Sequence, residues 1–211
     1  MASIKRKETA TKLTLRPAAA RAAKTPAPIH ELEISLREIE PRVWRRFVVR
    51  SDASLARLHD VIQVVMGWCD CHLHQFIGPD ETRYSPPYRE MDFDWDADVI
   101  DERKVKIRKA LPDVGSRLVY EYDFGDDWLH ELKVIRMGPA EGSTRNSRCL
   151  AGERACPPED VGGIPGFYQM LEALADPRHE EHDSCIEWLG RKFEPEAFDL
   201  DAVNRALARR R

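Results

Sequence analysis

The 211-residue chain contains no apolar run near the roughly 18 residues needed to span a bilayer, and no apolar stretch follows its N-terminus. Its cysteines are few and odd in number, five in all. These absences exclude a membrane protein and a secreted disulfide scaffold, and they predict a cytoplasmic protein whose thiols are free or bind metal. No internal repeat is visible, which removes solenoids and propellers. Cys69, Cys71, Cys149, Cys156 and Cys185 include no Cys-x-x-Cys pair, and no glycine spacing matches a phosphate-binding loop. What is present is 42% hydrophobic and 33% charged residues, enough apolar material for one core.

The net charge of −4 hides a segregation. Residues 1–24 hold Lys5, Arg6, Lys7, Lys12, Arg16, Arg21 and Lys24 against Glu8 alone, a net +6. Arg205, Arg209, Arg210 and Arg211 add +4 at the other end, so the stretch between carries −14. Residues 1–28 are rich in Ala, Thr, Lys and Pro and have no aromatic residue, which predicts a disordered basic tail unable to bury enough surface to offset its ordering entropy. Such a tail suits nucleic-acid phosphates through counterion release, and it also has the composition of a transit peptide, of a strap for the acidic body, or of a plain solubilising extension.

Between the ends, hydrophobic periodicity predicts strands over 29–38, 43–50, 71–78, 104–108, 117–124 and 129–136. A helix is expected from Ser54 as N-cap to Gly67. Gly125-Asp126-Asp127 has hairpin chemistry. Residues 138–163 read as one long loop, and three helices follow over 167–175, 184–189 and 199–208. Strands early and helices late predict an α+β domain over 29–208, with an antiparallel sheet of five to six strands, one early helix and a C-terminal group of helices. Residues 209–211 form a short basic end.

Several stretches together resemble a known family. PRVWRRFVV (41–49), LARLHDVIQVVMGWCDCHLHQF (55–76), YEYDFGDDWLHEL (120–132), CLAGERACPPEDVGGIPGFYQML (149–171) and FDLDAVNRAL (198–207) are similar to the plasmid pRiA4b ORF-3-like family. The resemblance spans about 30–208 and leaves the basic tail outside. It implies an α+β domain found mostly in bacteria, at times described as an insertion-sequence passenger under the resolvase-like label "TnpR", and it implies no particular activity. Val161 stands where many members have cysteine.

Recombinase chemistry is not supported by the residues. Ser3 lies in the tail, and no arginine–histidine–tyrosine set is apparent. A helix-turn-helix is also poorly matched, because the helix ending at Gly67 runs into a strand. Asp123-Phe124-Gly125 lacks the glycine-rich and catalytic loops that would make it a kinase motif. Asp92, Asp94, Asp96 and Asp98 have Ala97 and Arg103 where a calcium loop needs Gly and Glu.

Three constellations carry chemistry. Asp123, Asp126 and His130 flank a hairpin, and a carboxylate facing an imidazole across strands suits acid–base work or a divalent metal. Glu159 and Asp160 lie between two prolines and two glycines before a helix, where a structural use as caps or cation partners competes with a site. Cys69, Cys71, His72 and His74 crowd soft donors. His72 and His74 share a strand face while Cys71 and His72 point apart, so a metal there would draw on Cys149 and Cys156, or on His179, His182 and Cys185. The favoured reading is a non-enzymatic binding or accessory module associated with mobile elements, contacting nucleic acid through its basic tail, with a protein partner as a further option. Its alternative is a metal-assisted hydrolase using Asp123, Asp126, His130, Glu159 and Asp160 with a divalent ion.

Overall fold

The computed structural model describes residues 28–87, 99–139 and 147–210. The basic residues of 1–24 and the acidic run 92–98 lie outside them. Two antiparallel strands open the fold, β1 (Ile29–Leu36) and β2 (Trp44–Arg50). Helix α1 (Leu55–Met66) follows. The Ser54 side chain accepts from the Arg57 amide at its start, and Gly67 closes it at φ 98°, a left-handed conformation that costs glycine little. Leu55, Leu58 and Ile62 recur at helical spacing and are completely buried, each worth about 1.5–3 kcal/mol of transfer free energy.

Short strands β3 (His74–Ile77), β4 (Arg83–Ser85) and β5 (Ile100–Asp101) come next. A single 3-10 turn (Glu102–Lys104) and helix α2 (Ile107–Ala110) follow. This corrects the strand expected over 104–108. Its alternation is real, but Asp101 caps the turn through the Arg103 amide, and only Lys106 touches a neighbour in strand fashion, at Ser54. Strands β6 (Arg117–Tyr122) and β7 (Trp128–Gly138) form the expected hairpin, with Tyr120 opposite His130 and Tyr122 opposite Trp128.

Within the stretch expected to be loop, β8 (Arg148–Glu153) pairs with β2 as a sheet edge. Helices α3 (Gly163–Ala175), α4 (His182–Leu189) and α5 (Leu200–Arg209) complete the chain. The fold is mixed α+β. Among the described residues it has one sheet of eight strands, ordered β5-β4-β3-β6-β7-β1-β2-β8, rather than five to six. The sheet is also not wholly antiparallel, because β4 and β5 run parallel. Where the pattern predicts one early helix, the chain forms two. No helix among the described residues is long and apolar enough to cross a membrane.

The core lies between the sheet and its helices, centred on Leu32, Ile34, Phe47, Leu58, Tyr120 and Leu132. Its polar members are fully accounted for near α1. The Tyr120 hydroxyl donates to His59 Nδ1 (2.8 Å) and accepts from Gln63 Nε2 (3.0 Å), while Gln63 Oε1 accepts from the Asp70 amide (2.9 Å). His59 Nε2 donates to Asp70 (2.8 Å), and the stacked His74 ring, 3.5 Å away, donates to the buried Glu102 (3.0 Å). Burial, then the neighbouring His74, lowers the His59 pKa, so this closed network holds a neutral imidazole.

Candidate functional site

Three turns meet at the end of the sheet where β3 and β6 begin and stop. The first follows α1. Asp70 takes a left-handed φ of 61° and turns its carboxylate inward to His59, so that Cys69 and Cys71 on either side face each other outside. The second is the hairpin tip. Asp123 (φ 60°) and Asp127 (φ 56°) are also left-handed, and the Asp123 carboxylate accepts from the Gly125 amide (3.0 Å). The third is the 153–163 loop, where Asp160 has φ 58°. Aspartate tolerates this region better than most side chains because its short carboxylate bonds locally.

These turns are locked together. The Trp68 indole donates to the Pro157 carbonyl (3.1 Å) and stacks on Tyr122 with centroids 4.7 Å apart. Asp126 accepts from the Gly162 amide (3.1 Å). Gly163, at φ 66°, passes so near the hairpin that a Cβ would lie 2.6 Å from the Asp126 carbonyl oxygen. Glycine is required there on both counts. The carboxylate that meets the start of α3 is thus the chain's own Asp126.

The locking brings His72, Asp123, Glu159 and Asp160 to one point. His72 Nε2 lies 3.1 Å from Asp160, 3.6 Å from Asp123 and 3.8 Å from Glu159. Nε2 is closed off from solvent, yet none of these oxygens lies in a direction that makes a hydrogen bond with it. The nitrogen and the carboxylate oxygens of Asp123 and Asp160 lie within 4.8 Å of one another. Neighbouring ligands around a divalent ion with bonds of about 2.0–2.2 Å stand roughly 3.3–3.6 Å apart, close to the 3.1 and 3.6 Å that separate His72 Nε2 from Asp160 and Asp123, so the three donors are spaced to share one ion. Three carboxylates against one imidazole also leave a negative charge that a cation would offset.

Glu159 is held beside this point rather than free. Its carboxylate accepts from the Cys69 amide (2.8 Å) and from the Tyr122 hydroxyl (3.1 Å). Burial, then the Glu159 charge, raises the Tyr122 pKa, so its hydroxyl stays a donor. A cleft of about 680 Å³ opens from Glu159, Pro158 and Trp68 toward Phe193 and Phe198.

The remaining candidates lie elsewhere. His130 does not face Asp123. It is completely buried opposite Tyr120, its Nδ1–H donates to the Tyr120 carbonyl (3.0 Å), and burial pushes its pKa down to about 4. His72 precedes β3 and does not share a strand face with His74, which is paired with Glu102. Cys149 is buried in β8 against the Arg46 carbonyl, and burial pushes the Cys156 thiol up to about 12. Neither cysteine joins His72. His182 bonds the Ala173 carbonyl and His179 the Glu181 amide, so both close the turn before α4. The hydrolase set is therefore not assembled: two of its five members, Asp126 and His130, serve the scaffold. Cys69 and Cys71 meet Glu159 instead of the distant cysteines, and the Cys-x-Cys spacing was their signal in the sequence.

Residues 28–202 match a family model described as plasmid pRiA4b ORF-3-like protein. The chain is 39% identical over 183 residues to a Sinorhizobium fredii protein described as uncharacterized protein y4hQ, covering 86% of this chain and 91% of that one. Among solved structures, a protein of unknown function from Methanosarcina mazei Go1, MM3350, superposes with a TM-score of 0.73 at 34% identity, over 84% of this chain and 98% of the other.

Proposed function

The chain belongs to the plasmid pRiA4b ORF-3-like family, and from that premise we propose that it is a non-enzymatic binding module built around a divalent-cation site. His72, Asp123 and Asp160 are the ligands, with Glu159 as a further oxygen donor. The observation that carries this reading is the His72 ring nitrogen. It is shut away from solvent, surrounded by carboxylate oxygens, and without a hydrogen bond. Such a nitrogen costs about 1–3 kcal/mol unless something else takes its lone pair, and a metal ion does so. One imidazole with several carboxylates suits zinc(II) or manganese(II). A cleft lined by Trp68, Pro158 and Glu159 adjoins the site through Glu159.

Calorimetric titration of chelator-treated protein with zinc(II) and with manganese(II) tests this. One ion per chain at the site is expected, with binding there lost in His72→Ala. Absence of binding, or a His72→Ala variant that binds both ions as the native chain does, would sink it.

A second reading concerns the ends. The domain proper is 29–208, and the +6 of residues 1–24 gives the accessory role in mobile elements a nucleic-acid contact through Lys5, Arg6, Lys7, Lys12, Arg16, Arg21 and Lys24. The observation in its favour is the sign contrast with the acidic body, which would itself repel phosphates. Gel-shift titrations at low and high salt should show binding by the full chain that weakens with salt and disappears when 1–28 are removed. Equal retardation of both proteins would refute it.

A further inference from the structure

We propose that Cys69, Cys71 and Glu159 form a second cation site, specific for thiophilic divalent ions, and that Glu159 bridges it to the first. The bridging clause rests on the cation site centred on His72; the thiol site stands on its own geometry. The two sulfurs are 3.0 Å apart, and Cys69 Sγ lies 3.3 Å from a Glu159 carboxylate oxygen. Sulfur, sulfur and oxygen fall within 4.8 Å of one another. Both cysteines are exposed, so an ion and its remaining water ligands can reach them.

The backbone explains the arrangement. Neighbours two apart on an ordinary strand would point the same way but stand near 7 Å apart. Here the left-handed Asp70 between them draws the chain into a tight turn. Its carboxylate is anchored inward on His59 and its amide on Gln63, which leaves the flanking thiols gathered outside. The turn is thus fixed from the core side by a network that does not use the thiols at all. On the other side, the Cys69 amide holds the Glu159 carboxylate against them.

Tetrahedral zinc with sulfur bonds near 2.3 Å places two sulfurs about 3.8 Å apart, so the pair opens by less than ~1 Å to take an ion. The hydrogen bond it gives to Cys71, followed by burial and its hydrogen bond to Glu159, pushes the Cys69 thiol up to about 12. Each sulfur–metal bond forms as its thiol gives up a proton to water, and no electrons change hands. Proton release therefore accompanies binding.

Glu159 gives the two sites a shared ligand. One of its oxygens faces Cys69 Sγ, and the other is 3.8 Å from His72 Nε2. The donor sets differ in character, with oxygen and imidazole on one side and sulfur on the other, so they discriminate between ions by softness.

Cobalt(II) titration of the reduced full chain reads both sites. A sulfur-to-cobalt charge-transfer band in the near ultraviolet and two ions per chain are expected. The double variant Cys69→Ser with Cys71→Ser should lose the band and keep one ion. His72→Ala should keep the band and lose the other ion. Glu159→Gln should weaken each by about tenfold, the size usual for an outer or shared ligand. Near-ultraviolet circular dichroism checks that each variant is folded. Absence of the band in the reduced native chain, or its persistence in the double serine variant, would overturn the proposal. A band that survives while His72→Ala binds as many ions as the native chain leaves the thiol site standing and removes the His72 site. One ion without a band does the reverse.

Discussion

Two histidine–carboxylate groups lie on opposite sides of the Asp70 turn, and they are built to different rules. On the core side, His59 and His74 give Nε2 to Asp70 and Glu102, and His59 receives the Tyr120 hydroxyl on its other nitrogen. Every polar group of that network has a partner. On the outer side, His72 has three carboxylate oxygens within 3.8 Å and makes no hydrogen bond to any of them. Similar residues at similar spacing therefore serve structure in one place and, in the function we propose, form a cation site in the other. Between these two groups the distinguishing mark is whether a ring nitrogen ringed by carboxylates is satisfied; the buried Nε2 of His130 is also unpartnered, but its ring is held on the Tyr120 carbonyl and not among carboxylates.

The largest effect should come from breaking the closed side. Glu102→Ala removes the buried partner of His74 and should cost about 3–5 kcal/mol in urea unfolding. His72→Ala, measured without metal, should not destabilise the chain, because relief of about 1–3 kcal/mol from the unpaired nitrogen offsets the packing it gives up on Tyr122. Comparable losses in the two variants would erase the contrast.

Next is pH. His130 has a folded-state pKa of about 4, below the ordinary 6.5, because burial disfavours its charged form. Its contribution is fully present above about pH 6.5 and is lost as pH falls toward 4, since only the unfolded chain takes up the proton in that window. The loss is about 3 kcal/mol, and His130→Gln should flatten the fall by that amount in unfolding curves taken across the range.

Zinc at a hundredfold excess over Kd should then stabilise the native chain by about 2.7 kcal/mol through the His72 site, read from urea midpoints with the Cys69→Ser, Cys71→Ser background in both arms. Adding His72→Ala should remove the gain. An undiminished gain would mean that the open side is not open at His72. The smallest effect belongs to the brace between them. Asp126→Ala loses the bond to the Gly162 amide and should cost about 1 kcal/mol, while lowering zinc affinity about tenfold by loosening the loop that carries Glu159 and Asp160.

Local signals explain how much of this was legible in the sequence. Ser54 and Gly67 bracket α1 because a hydroxyl cap and a left-handed glycine are written in single residues. The β6–β7 hairpin follows from alternation on both sides of Gly125-Asp126-Asp127. Strand β8 was hidden, since RCLAGE has no clean alternation and becomes a strand by pairing with β2, a hundred residues away in sequence. The site was legible as residue types and not as a set. Asp123, Glu159 and Asp160 are nameable from their motifs, but strand parity places His130 with them. Its partner across the hairpin is Tyr120, and the hairpin tip belongs to the turn instead. His72 was expected beside His74, and the left-handed Asp70 that separates their roles has no marker beyond being an aspartate.

The long separations that join the three turns have a consequence for how the molecule is made. Cys71 meets Tyr122 across 51 positions, Tyr122 meets Glu159 across 37, and Cys69 meets Glu159 across 90. A nascent chain that has emerged only as far as the hairpin holds His72 and Asp123 without Asp160. In the proposed site, complete ligation would wait for α3 to begin and for Gly163 to seat against Asp126. Metal uptake would thus be a clock that starts only when the topology has closed, and its rate in refolding protein would time the last long-range step of assembly.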